Sequence, residues 1–274
     1  VDAGKTTLSE AMLFAAGVRR RHGNINNGDT ALDTDAIERR RGITIYSREA
    51  RFEKDGVLIQ FIDTPGHVDF GAEMERVLPV LDVAVLVISG ISGVDSHTGS
   101  LFRLLSYYNV PTFIFVNKMD IARLAKEELF AQITRNLSGN AVDFSLEKGE
   151  LEEELAFCSD ELLAEYEDNK SLSDDGIRKA FSQRKFFPVL FGNAVKYTVK
   201  DEVEQPPQGV NELMELLARL SSPKPYSEGF GAYCYKVTRE GNSRLVHLKM
   251  TGGSLSVREV IGEDKVTRIR LVNG

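Results

Sequence analysis

The chain contains four short apolar runs, which alternate with segments whose apolar residues recur at helical spacing. Each run is β-branched or aromatic, nearly continuous and bounded by turn residues, which is typical of strands covered on both faces. The runs are VLIQFID (57–63), VAVLVIS (83–89), PTFIFVN (111–117) and FFPVLFG (186–192). Helical patterns such as AEMERVLPVL and SLFRLLSYY lie between them. We therefore predict an α/β fold with a mostly parallel sheet and helices on both faces.

Two stretches depart from this alternation. Residues 23–35, GNINNGDTALDTD, are rich in Gly, Asn and Asp and lack apolar periodicity, which predicts a long mobile loop. Residues from about 121 to 184 centre on the strongly acidic DFSLEKGELEEELAFCSDELLAEYED. We predict that this second stretch is a solvated helical insertion with no chemistry of its own.

The period of the apolar positions changes to two after residues 223–225. The segment GFGAYCYKVTREGNSRLVHLKMTGG alternates around a turn at 240–242, which predicts antiparallel strands. Fewer than fifty residues follow this boundary, too few to close a barrel of ordinary size. We therefore place one domain at 1–222 and the start of a second, incomplete domain at 226–274.

Composition restricts the function classes that remain. A hydrophobic content of 42% in 274 residues is enough for a full core. The net charge of −7 argues against general DNA or RNA binding, because such affinity comes from neutralising phosphates with Lys and Arg. The basic clusters at 19–21 and 39–41 could still make local contacts with a nucleic acid. No apolar run is long enough for a membrane helix, so we expect a cytoplasmic protein without a membrane partner.

The opening VDAGKTTLSEAML contains the end of a phosphate-binding loop. Gly4, Lys5 and Thr6 match the last part of G-x-x-x-x-G-K-[ST], whose first glycine would fall two positions before Val1. Such a loop directs backbone N–H groups at the α- and β-phosphates and its lysine at the β- and γ-phosphates. Apolar positions of helical spacing follow, and Gly17 stands where the helix would end. We predict that Thr6 holds Mg²⁺.

The sequence DTPGH, residues 63–67, follows the first apolar run. In a phosphate-loop protein, Asp63 would meet the metal through water and Gly66 could offer its N–H to the γ-phosphate. The same four residues D-T-P-G also make a good turn without any ligand. The functional interpretation therefore depends on the phosphate loop being present as well.

Two further motifs complete the pattern. NKMD, residues 117–120, ends the third apolar run, where ligands of open α/β sheets bind. Asp120 can accept hydrogen bonds from the N1–H and the exocyclic amine of guanine, a pair that adenine lacks. In RGIT, residues 41–44, Thr44 can complete the Mg²⁺ shell when a γ-phosphate is present, although a strand start would also explain it.

These four motifs together resemble those of the translational GTPases, the group that contains elongation factor G. Within that group, LDTDAIERRRGITI, VLDVAVLVISGISGV and LLAEYEDN are most similar to the tetracycline-resistance ribosomal protection proteins. The resemblance covers nearly the whole chain. It implies a GTP-binding domain at 1–222 and the start of an antiparallel β-barrel domain at 226–274.

The resemblance also implies an activity. It implies a GTPase whose hydrolysis of GTP is stimulated by the ribosome, and which would release tetracycline from the ribosome. His67 would be catalytic, orienting or activating the attacking water on meeting the sarcin-ricin loop of the large-subunit RNA. A histidine suits this role because it positions water while titrating near neutrality. We expect a monomer that uses GTP or GDP, Mg²⁺ and, through Asp2, a monovalent cation.

The motifs and the resemblance together assign one set of residues to the nucleotide and another to the metal. The nucleotide would be bound by Asp2, Ala3, Gly4, Lys5, Thr6, Thr7, Gly66, Asn117, Lys118, Asp120, Asn193, Ala194 and Val195, and the metal by Thr6, Thr44 and Asp63. In the last guanine-contacting loop, GNAVK, Asn193 stands where the family has serine, whereas Ala194 is retained. The family contact uses the alanine N–H, so the replacement puts the stiffness of this loop in question.

Three alternatives stay open. A translocase of the elongation factor G kind would share the chemistry and differ in its outcome on the ribosome. An inactive GTP-sensing or ribosome-docking fragment would fit the family's first strand being missing before Val1. A phosphate-loop kinase that uses ATP is disfavoured by NKMD.

Overall fold

The computed structural model describes residues 2–18, 48–66, 71–195, 198–200, 203–205, 207–241 and 243–271. The predictions for Thr44, for His67, for the loop at 23–35 and for the two arginine clusters lie outside these residues.

The described part begins with a helix and a hairpin. Helix α1 (Lys5–Ala15) ends just before Gly17, as its pattern predicts. Strands β1 (Arg48–Lys54) and β2 (Val57–Asp63) then pair antiparallel. Asp55 and Gly56 connect them with φ angles of 51° and 77°, and two positive φ values define the type I′ turn that Asp-Gly favours.

This hairpin differs from the expected place of the first apolar run. The alternation predicted VLIQFID in the parallel sheet, but within the described ranges β2 pairs only with β1. The tight turn accounts for the antiparallel pairing with β1, and the run is not covered on both faces, because Val57 and Leu58 are exposed. The Asp-Gly pair in the sequence indicated a hairpin, whereas the apolar content of the run favoured a strand of the parallel sheet.

The other three runs form the parallel sheet together with a short strand. Its order is β3-β4-β6-β5, with every pairing parallel. These strands are β3 (Ala84–Ser89), β4 (Thr112–Asn117), β5 (Ala141–Asp143) and β6 (Phe187–Phe191).

Helices cover both faces of this sheet, as predicted. The helices after α1 are α2 (Gly71–Val77), α3 (Ser96–Tyr107), α4 (Lys126–Asn136), α5 (Lys148–Ala156), α6 (Asp160–Asn169), α7 (Asp174–Ser182) and α8 (Val210–Leu220). Successive residues of β4 point to opposite faces. Phe113 and Phe115 belong to the core cluster that includes α1 and α8, whereas Ile114 and Val116 belong to the cluster of α3 and α4. The α/β fold class is thereby confirmed.

The acidic stretch contains helices α4 to α7, in agreement with its helical pattern. It also supplies β5, which at three residues is too short to recognise from periodicity. Part of its apolar content is not solvated, because Leu155, Leu162 and Phe181 are each 1% exposed and join the main core. Phe157, by contrast, is 80% exposed.

Antiparallel strands follow the parallel sheet. They are β7 (Thr198–Lys200), β8 (Val203–Gln205), β9 (Gly231–Glu240), β10 (Ser243–Gly252), β11 (Val260–Ile261) and β12 (Asp264–Lys265). The hairpin of β9 and β10 confirms the period-two prediction, although the domain boundary near 223–225 stays a prediction. Tyr235 of β9 is buried against Val77 and Val80. None of the helices in the described ranges has the length and apolar character needed to span a bilayer.

Candidate functional site

The phosphate-loop motif lies at the amino end of α1. Gly4 is the residue before the helix and has a left-handed φ of 86°, and no side chain caps the helix. Lys5, Thr6 and Thr7 therefore form an uncapped first turn. The N–H groups of a first turn have no partners within the helix and favour an anion. The local backbone is thus suited to bind phosphate.

Asn117, the last residue of β4, joins this loop to a second loop. Its Nδ2 donates to the Ala3 carbonyl over 2.9 Å. Its Oδ1 accepts from the Ala194 N–H, also over 2.9 Å. Asn117 is 1% exposed and Ala194 is fully buried, so both bonds are shielded from water. A Cβ at Gly4 would lie 2.5 Å from Nδ2, which explains why glycine occupies that position.

Lys118 and Asp120 continue the same motif. Lys118 has a left-handed φ of 65°, and its Nζ donates to the Asp2 carbonyl over 2.7 Å. The Asp2 carboxylate lies 3.4 Å from the same nitrogen. Asp120 is exposed in the short 3₁₀ turn Met119–Ile121. Within the described ranges its carboxylate accepts no hydrogen bond, so it is accessible to a ligand.

The predicted metal ligands Thr6 and Asp63 meet at the end of β2. The Thr6 hydroxyl donates to the Asp63 carboxylate over 2.8 Å. The two residues are 7% and 4% exposed. Hard oxygen donors of this kind suit Mg²⁺, which is typically bound by one or two protein oxygens together with phosphates and water.

Lys5 extends toward Gly66. A methyl group added at Gly66 would overlap the end of the Lys5 side chain, so the two residues are in direct contact. Burial lowers the pKa of Lys5, whereas the charges of Asp63 and Asp2 act in the opposite direction. An anion brought to this ammonium group would relieve the cost of its burial.

The loop containing Asn193 is held by its own side chain. The Asn193 Oδ1 accepts from the Val195 N–H over 2.9 Å, and the Asn193 N–H donates to the Gln208 carbonyl over 3.0 Å. A serine hydroxyl can form the same kind of side-chain-to-backbone turn. The asparagine therefore fixes the loop in the way that the serine would. The Gly192 carbonyl accepts from the Met119 N–H over 3.1 Å and links this loop to NKMD.

One neighbour of the site was not anticipated from the sequence. Nε2 of His97 lies 3.2 Å from the Gly66 carbonyl. His97 stands in the first turn of α3, within an ordinary amphipathic pattern. Nothing in that pattern distinguishes it, because the contact arises only when α3 begins beside the end of β2.

The chain is similar to proteins named as tetracycline resistance proteins. It is 33% identical to TetW of Butyrivibrio fibrisolvens over 296 residues and 31% identical to TetS of Listeria monocytogenes over 290. Each match covers 99% of this chain, and 45% and 44% of the relatives. TetP of Clostridium perfringens is 46% identical over 142 residues, or 52% of this chain and 22% of TetP. The chain thus spans less than half the length of these relatives.

The fold is also found in a solved structure. A protein of Thermus thermophilus matches with a TM-score of 0.79 and 19% identity, covering 94% of this chain and 45% of that one. At this identity the match supports the architecture alone. The family is identified by a sequence match over residues 1–223. The chain belongs to the family of the elongation factor Tu GTP-binding domain.

Proposed function

We propose that the protein binds GTP and GDP and hydrolyses GTP, with the ribosome as the stimulating partner. The observation that carries this proposal is the position of Asn117, which bonds the phosphate loop and the loop of Ala194 at once. The residues for the phosphates and for the base are thereby held in one place. Asp120, three residues further along the same motif, remains exposed for a ligand.

The phosphate end would be bound by Asp2, Ala3, Gly4, Lys5, Thr6, Thr7 and Gly66. The uncapped turn of α1 offers N–H groups, and Lys5 offers a positive charge whose pKa is lowered by burial. Thr6 and Asp63 would hold Mg²⁺, the latter through water, and Mg²⁺ when bound supplies charge neutralisation at the phosphate oxygens. Thr44 would complete this set. Asp2 is our candidate for a monovalent cation.

The base would lie among Asn117, Lys118, Asp120 and the Asn193–Ala194–Val195 turn. The Asp120 carboxylate would accept from the guanine N1–H and exocyclic amine. The Ala194 N–H donates to the Asn117 side chain and so holds its turn beside the proposed base site. Adenine presents an acceptor and no amine at the corresponding edge. The resulting unmatched polar groups would exclude ATP by orders of magnitude.

Catalysis would fall to His67, one residue after Gly66. A histidine there can orient or activate water next to the γ-phosphate, and the sarcin-ricin loop RNA would bring it into place. Positioning accounts for most of the rate in this chemistry, so turnover without the ribosome should be slow. The whole protein would be a cytoplasmic, monomeric factor that releases tetracycline from the ribosome; the relatives TetS and TetW are named as tetracycline resistance proteins.

The first experiment is binding of fluorescent GDP with Mg²⁺, competed by GTP and by ATP. We expect displacement by GTP and none by ATP. An Asp120→Asn variant should prefer xanthosine diphosphate, because xanthine has an oxygen where guanine has the amine. Displacement by ATP, or a wild-type chain that binds no guanine nucleotide, would refute the proposal.

The second experiment measures GTP hydrolysis by the full-length protein with and without ribosomes. We expect strong stimulation, which His67→Ala should abolish while GDP affinity persists. Full ribosome-stimulated turnover by His67→Ala would remove the catalytic assignment. Tetracycline rescue and translocation, assayed in parallel, separate a protection protein from a translocase.

A further inference from the structure

Gly66 is contacted from two sides by groups of different origin. The end of the Lys5 side chain lies against its α-carbon. On the other side, its carbonyl oxygen lies 3.2 Å from Nε2 of His97. The glycine is thus held between the phosphate-loop lysine and the first turn of α3.

The chemistry of this contact assigns a proton to one nitrogen of the imidazole. A backbone carbonyl only accepts hydrogen bonds, so Nε2 of His97 must carry a proton and donate it. The histidine backbone is itself well anchored. The Asp95 carboxylate caps α3 by accepting from both the N–H and the hydroxyl of Thr98, each over 2.7 Å. A donor at position 97 is therefore presented to Gly66 from a fixed helix end.

We propose that His97 is a positioning residue that strengthens the binding of GTP relative to GDP. The inference rests on the proposed function, in which the Gly66 N–H meets the γ-phosphate. By holding the Gly66 carbonyl, His97 restrains the backbone of the residue whose N–H would distinguish GTP from GDP. The same carbonyl belongs to the peptide bond between Gly66 and His67, the proposed catalytic residue.

The inference predicts a selective defect. Loss of this one hydrogen bond should weaken binding of a non-hydrolysable GTP analogue by about 3- to 10-fold. GDP lacks the γ-phosphate, so its affinity should stay within about 2-fold of wild type. Ribosome-stimulated kcat should fall by a similar factor in His97→Ala, with a smaller change in KM.

Two variants make the test specific. His97→Gln keeps an N–H donor at a similar reach and should restore the ratio of GTP-analogue to GDP affinity. Ser96→Ala, an exposed neighbour in the same turn, should leave the ratio unchanged. The measurement is titration of both nucleotides against wild type, His97→Ala, His97→Gln and Ser96→Ala.

The outcomes separate this inference from the proposed function. A reduced ratio in His97→Ala with recovery in His97→Gln supports a positioning role. Equal losses for GDP and the analogue, or no loss at all, would overturn it while leaving the GTPase proposal intact. A wild-type chain that binds neither nucleotide would refute the proposed function itself.

Discussion

The Glu49 carboxylate on β1 lies 2.8 Å from Nδ1 of His247 on β10. The other ring nitrogen of His247 lies 3.2 Å from the Thr238 hydroxyl, so both sides of the imidazole are engaged. Nearby, Lys249 of β10 forms a 2.7 Å ion pair with Asp82. Together with the buried Tyr235, these polar contacts attach the β9–β10 hairpin to β1, to α2 and to the loop that contains Asp82.

This attachment should depend on pH through Glu49. Burial raises the pKa of Glu49, but the hydrogen bond and charge of His247, the hydrogen bond from Tyr235 and the charge of Lys236 outweigh it and lower the pKa overall. A lowered carboxyl pKa stabilises the fold above the ordinary value of 4.5, and this contribution disappears as the pH falls through the folded value. We expect Glu49→Gln to lower the free energy of unfolding by about 1–2 kcal/mol at pH 7 and by much less at pH 3.

Urea unfolding of wild type and Glu49→Gln at several pH values checks this prediction. Glu53→Gln is the matched control, because Glu53 is an exposed carboxylate on the same strand. Its effect should be within about 0.5 kcal/mol at either pH. An equal loss in Glu49→Gln at pH 7 and at pH 3 would show that the carboxylate charge is not responsible.

Gly4→Ala should damage both stability and nucleotide binding. The left-handed φ of Gly4 costs a non-glycine residue about 1–2 kcal/mol. In addition, its new Cβ would lie 2.5 Å from the Asn117 amide. Gly17→Ala is the control, because Gly17 also has a positive φ of 70° but no atom within 4 Å of the added carbon. Thermal unfolding and GDP titration of both variants should show a binding loss only for Gly4→Ala.

Asn117→Ala should separate the two loops that it joins. The variant leaves the buried Ala3 carbonyl and Ala194 N–H without their partner, which should cost about 2–4 kcal/mol of stability. GDP affinity should fall by at least about 100-fold, because phosphate and base residues are no longer held together.

The control for this prediction is Asn140→Ala. Asn140 is exposed, and its side chain donates one bond to the Lys185 carbonyl over 2.8 Å. Its loss should cost about 1 kcal/mol and leave GDP binding unchanged. If Asn117→Ala bound GDP as tightly as Asn140→Ala does, the joining role would be refuted.

Asn193→Ala and Asn193→Ser should differ in GDP affinity. Alanine removes the acceptor for the Val195 N–H, so the loop loses its local turn and affinity should fall by about 3- to 10-fold. Serine retains an oxygen at a suitable position and should bind GDP within about 2-fold of wild type. Isothermal titration of GDP into wild type and the two variants measures these affinities. Equal affinities for Asn193→Ala and Asn193→Ser would show that the side-chain oxygen does not contribute to GDP binding.

Much of the fold was predictable because it is determined by local pattern. The continuous apolar character of β4 required cover on both faces, and its residues do divide between two core clusters. The hairpin of β9 and β10 followed from alternation and a turn. The glycine before α1 and the NKMD motif marked the loops of the site, because special backbone geometry and polar residues at strand ends are visible in sequence.

The partnerships between distant residues were not predictable in the same way. The Asp-Gly turn pairs β2 with β1 in a hairpin, and His97 meets Gly66 only because α3 starts beside the end of β2. Glu49 and His247 are separated by 198 positions, and a local pattern cannot predict a contact between residues so far apart in sequence.

The sequence by itself thus determined the element types, the family motifs and the candidate residues for nucleotide binding. These follow from backbone preferences and side-chain chemistry at neighbouring positions. Only the tertiary structure decided which of those residues are in contact, because sheet order and helix placement bring together groups that are distant in the sequence.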